Sequence, residues 1–387
     1  MLGAFWTMRR DAVSDRRRSA RKKLPRSLRC LALSAVILGL LGSPGLSASP
    51  EAQSSASAKE RASLAIQTLQ SWYDEQTGLY RTTGWWNSAN AITTLADYAT
   101  LAGSHKFDSV FANTFRAAQA TSAGFLNKFY DDEGWWALAW IDVYDLTGEK
   151  KYLALAESIF ADMSGGWDGR CSGGIWWSKD RNYKNAIANE LFLSVAAQLA
   201  ARANSPEERK RYRSWAEREW RWFSHSGMIN ADHLINDGLD ASCTNNHKTI
   251  WTYNQGVVLG GLAELSRVNH NERLVSTARS IAEAVLASPT LVDAQDILHE
   301  PCEPNCGGDG SQFKGIFVRN LRSLQKVSPL PQYRKFVEAN AESIWKGAQP
   351  PEFPLGLMWS APYGIANAST QSSATDLLVA ASEIRNE

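Results

Sequence analysis

The sequence predicts an all-α fold, a toroid of six paired-helix hairpins, and three observations carry that prediction. Apolar residues recur at helical spacing, as in Leu191, Val195 and Leu199 and in Val257, Leu259, Leu262 and Leu265. Alternating strand patterns are scarce. Helical segments fall near 59–73, 88–102, 108–127, 133–147, 149–163, 183–203, 206–225, 252–268, 271–287, 312–326, 331–347 and 371–385, the twelve that six hairpins need.

The connections between these segments are of two kinds. Leu146-Thr147-Gly148-Glu149 and Ala203-Asn204-Ser205-Pro206 are tight, with Gly ending one helix and Ser-Pro beginning another. The connections at 164–182, 226–250, 288–311 and 348–370 are long and rich in Gly, Trp, Asn and Asp. Short turns at one end and long loops at the other suit a ring with one working face. Gly260-Gly261 lies inside a helix pattern and marks close packing. No Ser- or Pro-rich divider interrupts 59–385, so 59–387 reads as one domain behind a small, polar, flexible lead-in at 49–58.

Ahead of that lead-in, a basic stretch from Arg9 to Arg29 precedes the apolar run Leu31–Leu41, and Leu46-Ser47-Ala48 offers small residues for cleavage. Residues 1–48 therefore read as a secretory signal. Gly42-Ser43-Pro44-Gly45 stops the run short of the roughly 20 residues of a spanning helix. Membrane contact is expected only if this signal stays uncleaved. Without the leader four cysteines remain, Cys171, Cys243, Cys302 and Cys306, an even set that suits an oxidising compartment. The short spacing of Cys302 and Cys306 favours a local bridge, which leaves Cys171 with Cys243. The competing reading takes His299, Cys302 and Cys306 as zinc ligands, but no fourth ligand is apparent.

With 41 basic and 40 acidic side chains the formal charge is +1, which does not suggest nucleic acid as a partner. No P-loop or dinucleotide glycine fingerprint is present, and the histidines show neither metal-ligand spacing nor a triad partner. No metal or cofactor is expected. The chemistry gathers in Phe129-Tyr130-Asp131-Asp132-Glu133-Gly134-Trp135-Trp136, where three carboxyl groups meet two of the chain's 16 tryptophans. Two carboxyls can divide acid and nucleophile duties at a glycosidic bond, and indole faces suit the C–H side of a sugar. Asp131 and Asp132 lie just before an apolar helical pattern, so capping is the competing role. A cap needs one side chain, however, and aromatic surroundings oppose ionising both groups. Mechanism needs one carboxyl ionised and one protonated; a helix N-terminus lowers one, while a like charge and desolvation raise the other.

Most of the tryptophans are expected in the core. Those beside Gly, Asn or Asp in the long loops, Trp85, Trp86, Trp135, Trp136, Trp176 and Trp177, are the candidates to touch a ligand. Asn90, Asn189-Glu190 and Tyr253-Asn254-Gln255, at helix mouths or on helix faces, are candidate partners for sugar hydroxyls, with capping or core satisfaction as the alternative.

Tyr130–Trp140, Cys171-Ser172-Gly173-Gly174-Ile175-Trp176-Trp177, Tyr183–Leu191, Trp251–Gly256, Phe313–Phe317 and Gln371–Ala374 together resemble glycoside hydrolase family 76, over about residues 85–380. The resemblance implies an (α/α)6 barrel and retaining, endo-acting hydrolysis of α-1,6-linked mannan. It implies Asp131 as nucleophile and Asp132 as general acid/base. Ser172 departs from the glycine common after the cysteine, which bears on loop shape rather than chemistry. The family also includes fungal cell-wall proteins thought to transfer glycans. The expectation is thus an exported, monomeric mannanase acting on a polysaccharide or oligosaccharide. A transglycosylase, a silent glycan-binding protein and an (α/α) barrel acting on another sugar, such as an epimerase or uronyl hydrolase, are the alternatives.

Overall fold

A computed structural model of the chain describes residues 56–384. The predicted secretory signal at 1–48 and most of the 49–58 lead-in lie outside the described residues. Among the described residues there are twelve helices of ten residues or more: α1 Ala58–Gln70, α2 Trp85–Ala102, α3 Asp108–Ala117, α4 Tyr130–Thr147, α5 Lys150–Ser164, α6 Ala186–Arg202, α7 Pro206–Phe223, α8 Thr252–Asn269, α9 Glu272–Leu286, α10 Phe313–Val327, α11 Pro331–Trp345 and α12 Ala368–Ile384. Strand content among the described residues is one two-residue pair, β1 Tyr73–Asp74 with β2 Leu79–Tyr80, and a few isolated bridges.

The helices form two rings. Each even-numbered helix packs on the next, α2 on α4, α6, α8, α10 and α12 in turn, and α12 returns to α2. That closure makes the predicted (α/α)6 barrel. The outer helices α5, α7 and α9 pack back on α4, α6 and α8, while α1 and α11 lie against α12. Burial follows the same division, as a helix surrounded by others must be uncharged or paired on all sides. Every residue of α12 but Glu383 is buried. Outer α7, by contrast, buries Tyr212, Ala216, Glu219, Trp222 and Phe223 and leaves its Arg residues and its other Glu residues outside the core.

Local chemistry sets the ends. Asn185 caps α6 through Ala188 N, Ser205 caps α7 with Pro206 in the first turn, and Gly103 and Gly148 close α2 and α4 in left-handed conformation. Close ring contacts depend on missing side chains: a Cβ at Gly256 would lie 2.5 Å from Phe317 Cα, and one at Gly260 would strike Asn320 Oδ1. The predicted 108–127 helix ends at Ala117 and continues as two 3-10 turns, with Gly124 in left-handed conformation. Both predicted bridges, Cys171–Cys243 and Cys302–Cys306, are formed, which removes those thiols from any zinc site with His299. Among the described residues no helix is long and apolar enough to cross a membrane.

Candidate active site

The first turns of the inner helices converge at one end of the barrel. Trp86 of α2, the α4 cap Phe129, Asp131, Asp132 and Trp135 of α4, the α6 cap Asn185, Tyr253 of α8 and Phe313 of α10 line one cleft of about 460 Å³, with Trp177, Tyr183, Asp237 and Asp309 from the connecting loops. A cavity of about 640 Å³ beside Trp222 and His225 is larger but has no carboxylate in its wall.

The acid pair lies inside α4, not before it. Phe129 is the N-cap and makes no side-chain cap bond, so Asp131 and Asp132 occupy the first turn with their carboxyls free for other partners. The positive end of the α4 dipole favours an anion there. A bridge between Phe129 and Ser178 pins the 164–182 loop to this turn, with Tyr130 N donating to Trp177 O at 2.9 Å. The Trp177 indole N–H then donates to Asp131 Oδ2 at 3.0 Å. Asn127 Nδ2 donates to Asp132 Oδ2 at 2.6 Å. The third acid, Glu133, turns away: it takes Lys179 at 2.8 Å and the Asn127 N–H at 3.2 Å and is fully buried.

Burial dominates the electrostatics of the pair. It pushes the Asp131 carboxyl up to about 8, helped by the charge of Asp132 and opposed by the Trp177 donor. Burial raises Asp132 to about 6, opposed by Asn127 and supported by Asp309. Near neutrality the two groups therefore hold one proton between them, the arrangement that a paired acid and nucleophile require.

An aromatic wall faces this pair. Trp86 stacks on Trp135 at 5.7 Å between ring centroids, Tyr253 stacks on Phe313 at 3.8 Å, and the Trp86 indole is fixed by its N–H to Asp309 Oδ1 at 2.9 Å. On the opposite side a bridge between Asn185 and Gly238 sets Asp237 beside the start of α6, where it accepts the Tyr183 hydroxyl. Flat rings with carboxylates at their edges can hold a pyranose by its C–H face and its hydroxyls.

The sequence-predicted residues divide between the cleft and its supports. Asp131, Asp132, Trp86, Trp135, Trp177 and Tyr253 come together in the cleft wall. Trp136 does not: it is fully buried against Phe125 and Trp140, and Trp85 packs on Phe125 and Trp136. Asn90 is occupied in the barrel interior, accepting from Arg319, which also pairs with Asp376. Asn189 and Gln255 grip loops instead of sugar. Asn189 accepts from Ile175 N and donates to Ile175 O, and Gln255 does the same with Ile235. Asn340 of α11 likewise takes Leu298 N and donates to Asp296 O. Glu190 and Asn254 are fully buried and outside the cleft wall. Trp176 lines a neighbouring hollow, its indole N–H bound to Asp168.

Phe129, Tyr183, Asn185, Asp237, Asp309 and Phe313 are cleft residues that sequence reasoning did not select. Tyr183, Asn185 and Phe313 stand within the quoted motifs, and Asp237-Gly238 and Asp309-Gly310 are Asp-Gly pairs, the first midway along one long loop and the second at the end of another. Among the described residues no group of three or more His, Cys, Asp or Glu could hold a metal ion.

Comparison with known proteins gives one answer. The family model described as glycosyl hydrolase family 76 matches residues 57–386. Mannan endo-1,6-alpha-mannosidase DCW1 of Eremothecium gossypii is 26% identical over 328 residues, which cover 76% of this chain and 71% of the relative. The Lin0763 protein of Listeria innocua superposes with TM-score 0.77 at 26% identity, over 86% of this chain and 98% of that one. The GH76A alpha-1,6-mannanase of Salegentibacter sp. HEL1_6 gives TM-score 0.76 at 25% identity, over 85% of this chain and all of that one. An inactive variant of that mannanase has been solved with alpha-1,6-mannotriose.

Proposed function

This chain belongs to glycosyl hydrolase family 76, and from that membership we propose that it cleaves α-1,6-mannosidic linkages in mannan by retaining double displacement at Asp131 and Asp132. The observation that carries the reading is the half-protonated acid pair within an aromatic cleft. Asp131 attacks the anomeric carbon as the glycosidic C–O bond breaks, and Asp132 gives its proton to the leaving oxygen. The Asp132 carboxylate then takes a proton from water, which attacks the same carbon and frees Asp131. Retention, which needs the two carboxyls about 5 Å apart rather than about 6.5–9.5 Å, is part of the proposal. Export is part of the proposal, supported by the basic and apolar order of residues 9–41 and the two disulfides.

Purified protein should shorten linear α-1,6-mannan, with the α-anomer first in NMR of the released chains. Asp131→Asn and Asp132→Asn should each lower kcat by about 10³-fold or more with the circular dichroism of the fold intact. A β-anomer appearing first, or activity surviving either substitution, would overturn the proposal. A second reading exchanges the two roles, because burial raises both carboxyls and either can hold the shared proton. Trapping the glycosyl-enzyme with a 2-deoxy-2-fluoro mannosyl fluoride and mapping the ester by mass spectrometry separates the two.

A further inference from the structure

Among the described residues, the cleft that holds Asp131, Asp132, Asp237 and Asp309 has no cationic side chain in its wall. Beyond Tyr183 the sign reverses. Tyr183 also lines a second hollow, of about 560 Å³, whose wall carries Arg170, Arg181, Lys184 and Lys248 against the one carboxylate of Asp240. One phenol ring is thus the border between an acidic cleft and a basic groove.

The four cations are not equivalent. Lys184 is consumed by the fold: its buried ammonium is bound by Asp168 at 2.9 Å and by the carbonyls of Arg170, Gly173 and Gly174. Arg170, Arg181 and Lys248 are exposed. Arg181 donates to Gly165 O at 3.0 Å and reaches Asp168 at 3.7 Å, Arg170 donates to the Ala241 carbonyl, and the Lys248 ammonium stands 5.7 Å from the Tyr183 ring, so each keeps N–H groups for a further partner. Asp240 offers them little, because its carboxylate already accepts from the N–H groups of Ser242 and Thr244 and from the Thr244 hydroxyl. Trp176 stands in the same wall, half-buried, with its indole N–H turned to Asp168 at 2.7 Å. An aromatic ring beside exposed guanidinium and ammonium groups suits a sugar that carries an anion: the ring meets the C–H face and the cations meet the charge.

We propose that this groove is a subsite for an oxyanion, a phosphate or a uronate carboxylate, borne by a glycan that runs from the catalytic cleft past Tyr183. The proposal rests on the glycosidase reading of that cleft and adds a class of substrate to it. Charge also sets direction. An anionic unit is repelled by the acidic cleft and attracted by the groove, so it stands outside the unit being cleaved.

The test uses the full chain with Asp132→Asn, which binds without turnover, and calorimetry with three probes. These are α-1,6-mannotetraose, the same oligosaccharide with one phosphate monoester, and one ending in a uronic acid. The phosphorylated or the uronate probe should bind about tenfold tighter than the neutral one at low salt, with the advantage fading toward about 0.5 M salt. Whichever of the two gains identifies the source of the oxyanion. Adding Arg170→Gln with Lys248→Gln, or Lys248→Gln alone if the double variant loses its circular dichroism, should bring the affinity ratio toward one. Equal affinity for all three probes, or a preference untouched by these substitutions, would overturn the proposal. Should a charged probe bind while neutral mannotetraose does not, the groove stands and the mannan reading fails.

Discussion

Replacing Trp177 with phenylalanine removes one N–H donor from the acid pair and leaves a ring against Phe129, whose centroid lies 4.9 Å from the present indole. That donor, 3.0 Å from Asp131 Oδ2, stabilises the ionised carboxyl alone. Hydrogen bonds to charged groups contribute about 1.5–3 kcal/mol, of which water entering the cleft would restore part. A net loss of about 1.4 kcal/mol is about one pH unit. Because the donor lowers the Asp131 pKa, losing it moves that group from about 8 toward higher pH. The alkaline limb of kcat/KM on α-1,6-mannotetraose should therefore shift up by about one unit. The plateau distinguishes the roles. If Asp131 attacks, the singly protonated form with Asp131 ionised becomes about tenfold rarer and the plateau falls by that factor. If Asp132 attacks, the plateau holds while the limb moves. An alkaline limb that does not move would refute the reasoning, since the indole would then have no hold on the pair's proton.

Asp309→Asn removes a charge that supports the raised Asp132, so the acid limb near about 6 should move to lower pH, while the Trp86 indole keeps an oxygen acceptor. Glu219→Gln tests a buried acid outside the cleft, whose two oxygens have no hydrogen-bond partner and whose pKa burial drives well above the usual range. Its protonated burial is fully stable below about pH 4.3 and loses about 1.4 kcal/mol per pH unit as pH rises toward the folded pKa. The glutamine variant should therefore gain on the wild type in urea unfolding as pH increases; a difference constant with pH would contradict this. Replacing the Cys171–Cys243 bridge, which spans 72 residues, with serines should cost about 4 kcal/mol in denaturant unfolding, and replacing Cys302–Cys306, which spans 4, about 2 kcal/mol.

The ring of helices was legible because period and punctuation agree. Leu191, Val195 and Leu199 recur at helical spacing, and Gly148 and Ser205-Pro206 mark the ends where the structure has them. The acid pair was legible from its chemistry and its tryptophans, although its position within α4 was not, since nothing in the run Phe129–Asp132 says that Phe129 is the cap. Asp237 and Asp309 were hidden for another reason. Each enters the cleft through a tertiary constraint, the Asn185–Gly238 bridge for one and the Trp86 indole for the other, which local patterns do not encode. Asn90, Asn189 and Gln255 misled because an amide at a helix mouth has the same appearance whether it meets a sugar hydroxyl or a backbone.

Those amides have a consequence for how such a protein can change. Asn189 and Gln255 each fasten a long excursion of the chain part-way along its course, at Ile175 and Ile235, using both ends of one side chain. Residues away from the fastening can be lengthened, shortened or exchanged without rotating the helix that holds it, since the fastened residue stays in place. New sugar preferences can thereby be tried one tip at a time, provided that Trp177 stays where it meets Asp131.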